Sequence, residues 1–175
     1  MPTDNRAIFI SYRREDSEGE AGRLYDDLIE TFGDGKVFMD VAGIDSGRDF
    51  RRVIDDQVAS FGVLLAIIGK NWLDAKDLTG RPRLENPSDF VRLETASALK
   101  RDIPVIPVLV QRAAMPNEDQ LPPELAELAF RNCVELRHTR WLSDVKDLII
   151  ALKPYIANHK KSYSSSFKTL LSRLS

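Results

Sequence analysis

Alternation constrains this chain more than any other feature: short apolar runs recur, with segments of helical spacing between them. The runs cover residues 7–12, 36–40, 63–68, 104–110 and 133–136. Segments 20–32, 49–61, 88–100, a short 122–129, and 143–156 carry apolar residues three and four apart, as in Leu24, Leu28 and Phe32, or Val145, Leu148, Ile149 and Leu152. Strands that are apolar throughout, separated by helices, predict a parallel sheet covered on both faces. Five of them most economically form a flavodoxin-like three-layer α/β sandwich, a doubly wound sheet in strand order 2-1-3-4-5. A ligand site in such a sheet lies outside the carboxyl ends of the strands, here near 11–14, 40–47 and 69–72.

The first run supports that expectation. Ile8, Phe9 and Ile10 read as a buried strand, and the chain then turns abruptly to Arg13 and Arg14. Guanidinium groups there would meet anions with a fixed fork, or pair with Glu15 or Asp16 at the surface. Farther on, Asn86 before Pro87, with Asp89 three residues later, resembles an N-cap with proline at the first helical position. Gly33 and Gly35 close the first helix, and Pro104 follows the third.

Length and charge narrow the classes. A chain of 175 residues buries enough surface in one domain to need no disulfide or metal staple. Cys133 is the sole cysteine and lies in an apolar stretch, so it is expected to be a small buried hydrophobe. Formal charge is −2, but 158–175 holds Lys160, Lys161, Lys168 and Arg173 without an acid; 25 basic residues less those four leaves 21 against 27 acids, or −6, for the body. That balance argues against nucleic-acid binding. With no signal-like amino terminus and no apolar run near the ~20 residues of a membrane span, the chain is expected to be soluble and cytoplasmic.

The tail from 157 is basic and serine-rich. Phe167, Leu170, Leu171 and Leu174 fall on one helical stripe, so it reads as a linker or as a short amphipathic helix for a partner or fused domain. His138, His159 and Cys133 give no zinc-ligand spacing, and neither GxxxxGK[ST] nor GxGxxG occurs. No metal and no bound cofactor is expected. A receiver domain would show acids after the first and third strands, where Arg13, Arg14, Gly69 and Lys70 stand.

Phe9 to Arg14, Val37 to Asp40, the loop Ile44, Asp45, Ser46 and Gly47, then Trp72, Asp89 to Glu94, Ala98, Leu99 and Ile103 to Pro107 occur in an order that resembles a Toll/interleukin-1 receptor (TIR) domain over about 6–156, closest to the bacterial NAD+-cleaving type. The resemblance implies cleavage of the nicotinamide–ribose bond of NAD+, here a substrate, with Glu94 as the catalytic carboxylate. It also implies that Tyr12, Arg13, Arg14, Asp40, Asp45, Gly47, Trp72 and Phe90 surround the dinucleotide. Phe90 and Glu94, four apart, share a helix face; the family often has Trp at the first position. Gly43 and Gly47 would supply hinge or positive-φ positions in a loop that, in the family, gates the site and joins TIR protomers. Trp72 is equally readable as a packing anchor, Arg81 to Leu84 as a basic lip or a solvated turn. The family also implies bacterial immune-type signalling through self-association. Two other readings remain open: a non-catalytic scaffold working through TIR–TIR contacts, and an effector that interferes with a host TIR pathway.

Overall fold

The computed structural model describes residues 6–40 and 44–156. Five parallel strands, β1 (Ala7–Ser11), β2 (Val37–Phe38), β3 (Phe61–Ile68), β4 (Val105–Leu109) and β5 (Val134–Glu135), form one sheet in the order β2-β1-β3-β4-β5. Ile8 pairs with Val37 on one side and Val63 on the other, and Leu64 pairs with Val105, so β1 and β3 are interior strands. This is the flavodoxin-like order expected from the alternation.

Side chains of successive strand residues point to opposite faces, and here both faces are apolar. Ile8, Ile10, Val63, Leu65 and Ile67 pack with Leu24 and Leu28 of α1 (Arg14–Phe32) and Leu148 and Leu152 of α4 (Trp141–Ile156). Phe9, Leu64, Ala66 and Ile68 face the other way, onto Ile54 and Val58 of α2 (Phe50–Ala59) and Ala98 of α3 (Phe90–Lys100). Full burial of each large aliphatic or aromatic side chain contributes roughly 1.5–3 kcal/mol.

Helix limits differ from the sequence pattern where tertiary contacts override it. α1 begins at Arg14 rather than at 20, with a non-helical Ser17 (φ −143°, ψ 30°) inside it. The buried Asp16 carboxylate accepts from the backbone N–H groups of Gly69 and Asn71, each at 2.8 Å, so this turn is held by the loop after β3 rather than by an apolar stripe. Gly69 passes so close that any Cβ there would meet the Asp16 carboxylate. Gly33 (φ 95°) ends α1 and donates to Ile29 O at 2.8 Å. The short helical segment after Pro122 is a 3-10 turn, Pro123–Phe130, rather than an α-helix.

Two local expectations are corrected. Asn86 does not cap α3: its Oδ1 accepts from Ser88 N at 2.9 Å within a turn, and the cap is Asp89, which accepts from Arg92 N at 3.0 Å. Cys133 is exposed, because the short edge strand β5 begins only at Val134. Among the described residues no helix is long and apolar enough to cross a membrane. The tail at 157–175 lies outside the described residues.

Candidate active site

β1 delivers Ser11 to the carboxyl edge of the sheet, and α3 runs past it. Ser11 Oγ donates to Glu94 Oε2 at 2.6 Å, and both residues are buried, Glu94 at 6% exposure. Burial pushes the Glu94 carboxyl up to about 8; the Ser11 hydrogen bond opposes this, nearby Asp89 and Asp40 add to it, and Arg13 again opposes it. Few positions hold a carboxyl so poorly solvated beside an open cleft, and strong perturbation in a cleft marks candidate functional groups.

The cap of α3 fixes where Glu94 sits. Asp89 receives both arms of the Arg13 guanidinium, Nη1 at 2.9 Å and Nη2 at 3.0 Å, so the loop after β1 is tied to the helix that carries Glu94. Arg13 is only 2% exposed. Removing either partner of such a buried pair would strand a charge at a cost on the order of 3–5 kcal/mol. The pairing expected with Glu15 or Asp16 is corrected: both arms of the fork are taken by Asp89, so Arg13, which lines the cleft, acts as a strut at its mouth rather than as a grip on phosphate.

Beside Glu94 opens a cleft of about 690 Å³, walled by Tyr12, Arg14, Asp40, Leu78, Arg83 and Phe90 among others. Pockets of a few hundred to about 1,000 Å³ hold small ligands. Phe90 is 47% exposed and its ring lies 5.5 Å from that of Phe50. Tyr12 Oη donates to Asp40 Oδ1 at 3.3 Å; burial first, and Asp40 second, raise the phenol above its ordinary range. Arg14 lies 3.7 Å from Asp40 with both side chains largely open to solvent, so its fork stays available to an incoming anion. Arg83, in the 3-10 turn Arg83–Glu85, meets Glu15 at 2.7 Å across the mouth.

Not every expected residue reaches this cleft. Trp72 is 1% exposed in the core with Leu64 and Ile68 and forms no part of the wall, which corrects its assignment to the ligand. A two-faced sheet needs bulk beneath the loop after β3, and Trp72 supplies it. Asp45 and Gly47 are exposed outside the cleft wall; Gly47 adopts φ 84°, and the Asp45 carbonyl accepts from Arg48 N at 3.2 Å. Gly43 lies outside the described residues. Three residues that sequence reasoning left unassigned belong to the site: Ser11, whose signal was a lone hydroxyl ending an apolar strand, Leu78, and the helix cap Asp89. Among the described residues no group of three His, Cys, Asp or Glu side chains is arranged to hold a metal ion.

A family model described as TIR domain matches residues 8–149. Comparison with curated proteins finds no match. Among solved structures, the TIR domains of the activated Roq1 resistosome, which directly recognises the pathogen effector XopQ, align over 97% of this chain and 99% of that one, with a TM-score of 0.46 and 17% identity. The CMP N-glycosidase BcmB of Clostridium botulinum aligns over 84% of this chain and 100% of its own, with a TM-score of 0.45 and 12% identity.

Proposed function

Since the chain belongs to the TIR-domain family, whose model spans 8–149, we propose that it is an NAD+ glycohydrolase that releases nicotinamide and leaves ADP-ribose or a cyclic isomer. The observation that carries this reading is the desolvated Glu94, hydrogen-bonded to Ser11 at 2.6 Å, on the floor of a cleft whose rim holds an exposed aromatic ring and an exposed arginine.

The chemistry suits a single carboxylate. Nicotinamide leaves from a cationic pyridinium and becomes neutral, so no acid is needed to protonate it, unlike the paired carboxylates of most glycosidases. Positive charge develops on the ribose ring, and an anion beside it in a water-poor site lowers that barrier. Glu94 resists ionisation when the cleft is empty. A bound pyridinium reverses the balance, because a nearby cation favours the carboxylate, and the Ser11 hydroxyl already stabilises it. Water then adds to the anomeric carbon as the ribose–nicotinamide bond breaks, and its proton passes to Glu94 or to solvent. Phe90 offers a ring face to a base, and Arg14 a fork to the pyrophosphate. The open rim suits a site completed by a second TIR protomer, so turnover would rise with protein concentration.

The test is chromatography of NAD+ incubated with concentrated wild type and Glu94→Ala. Nicotinamide with an ADP-ribose-type product from wild type alone is the expected result. Equal, background-level loss with both proteins would refute the enzyme and leave the scaffold reading.

A further inference from the structure

A second concavity, of about 960 Å³, opens at the carboxyl ends of β3, β4 and β5, on the α1 and α4 side of the sheet. Three cations that meet no carboxylate there line it from three separate segments: Lys70 after β3, Arg112 after β4, and Arg23 on α1. The side chains of Lys70 and Arg112 form no hydrogen bond or ion pair among the described residues, and both are exposed. Arg23 lies 4.5 Å from the centroid of the Trp141 ring and meets no carboxylate there. Arg137 also lines the pocket, but its fork is taken by Asp144. Two acids face these groups: Glu20, which accepts from Gln111, and the exposed Glu135.

The backbone that presents Arg112 is unusual. Val110 O accepts from Ala113 N at 3.0 Å, and the two residues between them, Gln111 and Arg112, have φ 56° and 59°. Two central residues at positive φ make the turn of type I′ form, where Asn-Gly is preferred and other residues are strained. Gln111 has a structural reason to be there. Its amide donates to Asp16 O at 2.7 Å and to Glu20 at 3.0 Å, and accepts from Lys70 N at 3.2 Å. Arg112 has no such tie. An arginine where glycine would fit better, its head group unengaged beside Lys70 and an Arg23 that stacks on Trp141 but meets no carboxylate, is a strained residue of the kind that collects at ligand sites.

We propose that this pocket is a second binding site, separate from the Glu94 cleft, for a small ligand bearing phosphate groups held by Lys70, Arg112 and Arg23. A concave site of this volume fits a small molecule. A polyanionic chain is disfavoured, because the body outside 158–175, with 21 basic against 27 acidic residues, is net negative. The site does not depend on what the Glu94 cleft cleaves.

Calorimetric titration of the full chain with inorganic pyrophosphate at low salt tests this, comparing wild type with Arg112→Gly, Lys70→Ala and Lys153→Ala. Arg112→Gly and Lys70→Ala are expected to weaken binding by about tenfold each, while Lys153→Ala, at an exposed lysine of α4 that lines neither cleft, leaves it unchanged. Arg112→Gly should also raise the thermal midpoint, since glycine relieves the left-handed turn, so weaker binding cannot be ascribed to a damaged fold. The proposal is overturned if wild type binds no pyrophosphate, if Arg112→Gly and Lys70→Ala bind it as tightly as wild type does, or if the Arg112→Gly midpoint falls. It is equally overturned if a single-stranded oligothymidylate binds more tightly than pyrophosphate and is lost with the same variants.

Discussion

Glu94→Gln should separate stability from activity in opposite directions. In the folded protein Glu94 holds its proton up to about pH 8, against an ordinary value of 4.5. The unfolded chain gives that proton up as pH passes 4.5, so the folded state is progressively disfavoured from there until Glu94 itself ionises near 8. At 1.36 kcal/mol per pH unit, the interval from 4.5 to 7 amounts to about 3 kcal/mol. Glutamine matches the protonated carboxyl in shape and still accepts from Ser11, so it escapes this cost. Glu94→Gln is therefore expected to be more stable than wild type at pH 7, by up to about 3 kcal/mol or roughly 6–12 °C in Tm, and nearly equal to it at pH 4. Thermal melts by circular dichroism at the two pH values measure this. In the same samples NAD+ cleavage should vanish. For wild type, kcat/KM reports the free enzyme, so it should climb about tenfold per pH unit below 8 and level off above it. Ser11→Ala removes a group that favours the anion and should move that rise to higher pH. A Glu94→Gln protein no more stable than wild type at pH 7, or a flat pH profile between 6 and 8, would refute the desolvated-carboxyl argument.

Phe90 gives a second test: Phe90→Ala should raise the KM for NAD+ by about tenfold or more through lost stacking, whereas Phe90→Trp should hold or lower it, as steady-state kinetics at fixed protein concentration would reveal. Asp144, buried against Arg137, is held down to about 2 chiefly by the Arg137 hydrogen bond. The stability it contributes is present above its ordinary 3.8 and is lost as pH falls through about 2. Asp144→Asn should cost about 1–2 kcal/mol at neutral pH, the Arg137 end being open to solvent, and the deficit should shrink in melts between pH 4 and pH 2.

Periodicity made the sheet legible. Ile8 and Ile10 against Phe9, and Val63, Leu65 and Ile67 against Leu64, Ala66 and Ile68, announce strands covered on both faces, and the five alternating runs leave few sheet orders open. Glu94 and Phe90 were legible as a pair because helical spacing is a local property. What local spacing does not encode is the partner across the fold. Arg13 follows β1 as any surface arginine would, and only the approach of α3 reveals Asp89 as its counter-ion, 76 positions away. Trp72 and Cys133 went the other way: the depth of a residue just outside a strand, after β3 for Trp72 and before β5 for Cys133, depends on which loops cover it, so one proved to be core and the other surface.

The sequence by itself determined the layers, the strand order and the helix that bears the carboxylate, because hydrophobic burial at periods of 2 and 3.6 is written in neighbouring residues. Tertiary structure alone decided the electrostatics. Whether Glu94 ionises depends on the water excluded by β1 and α3 together, on a hydroxyl 83 positions away, and on which arginine is already engaged, and these are properties of space rather than of order along the chain.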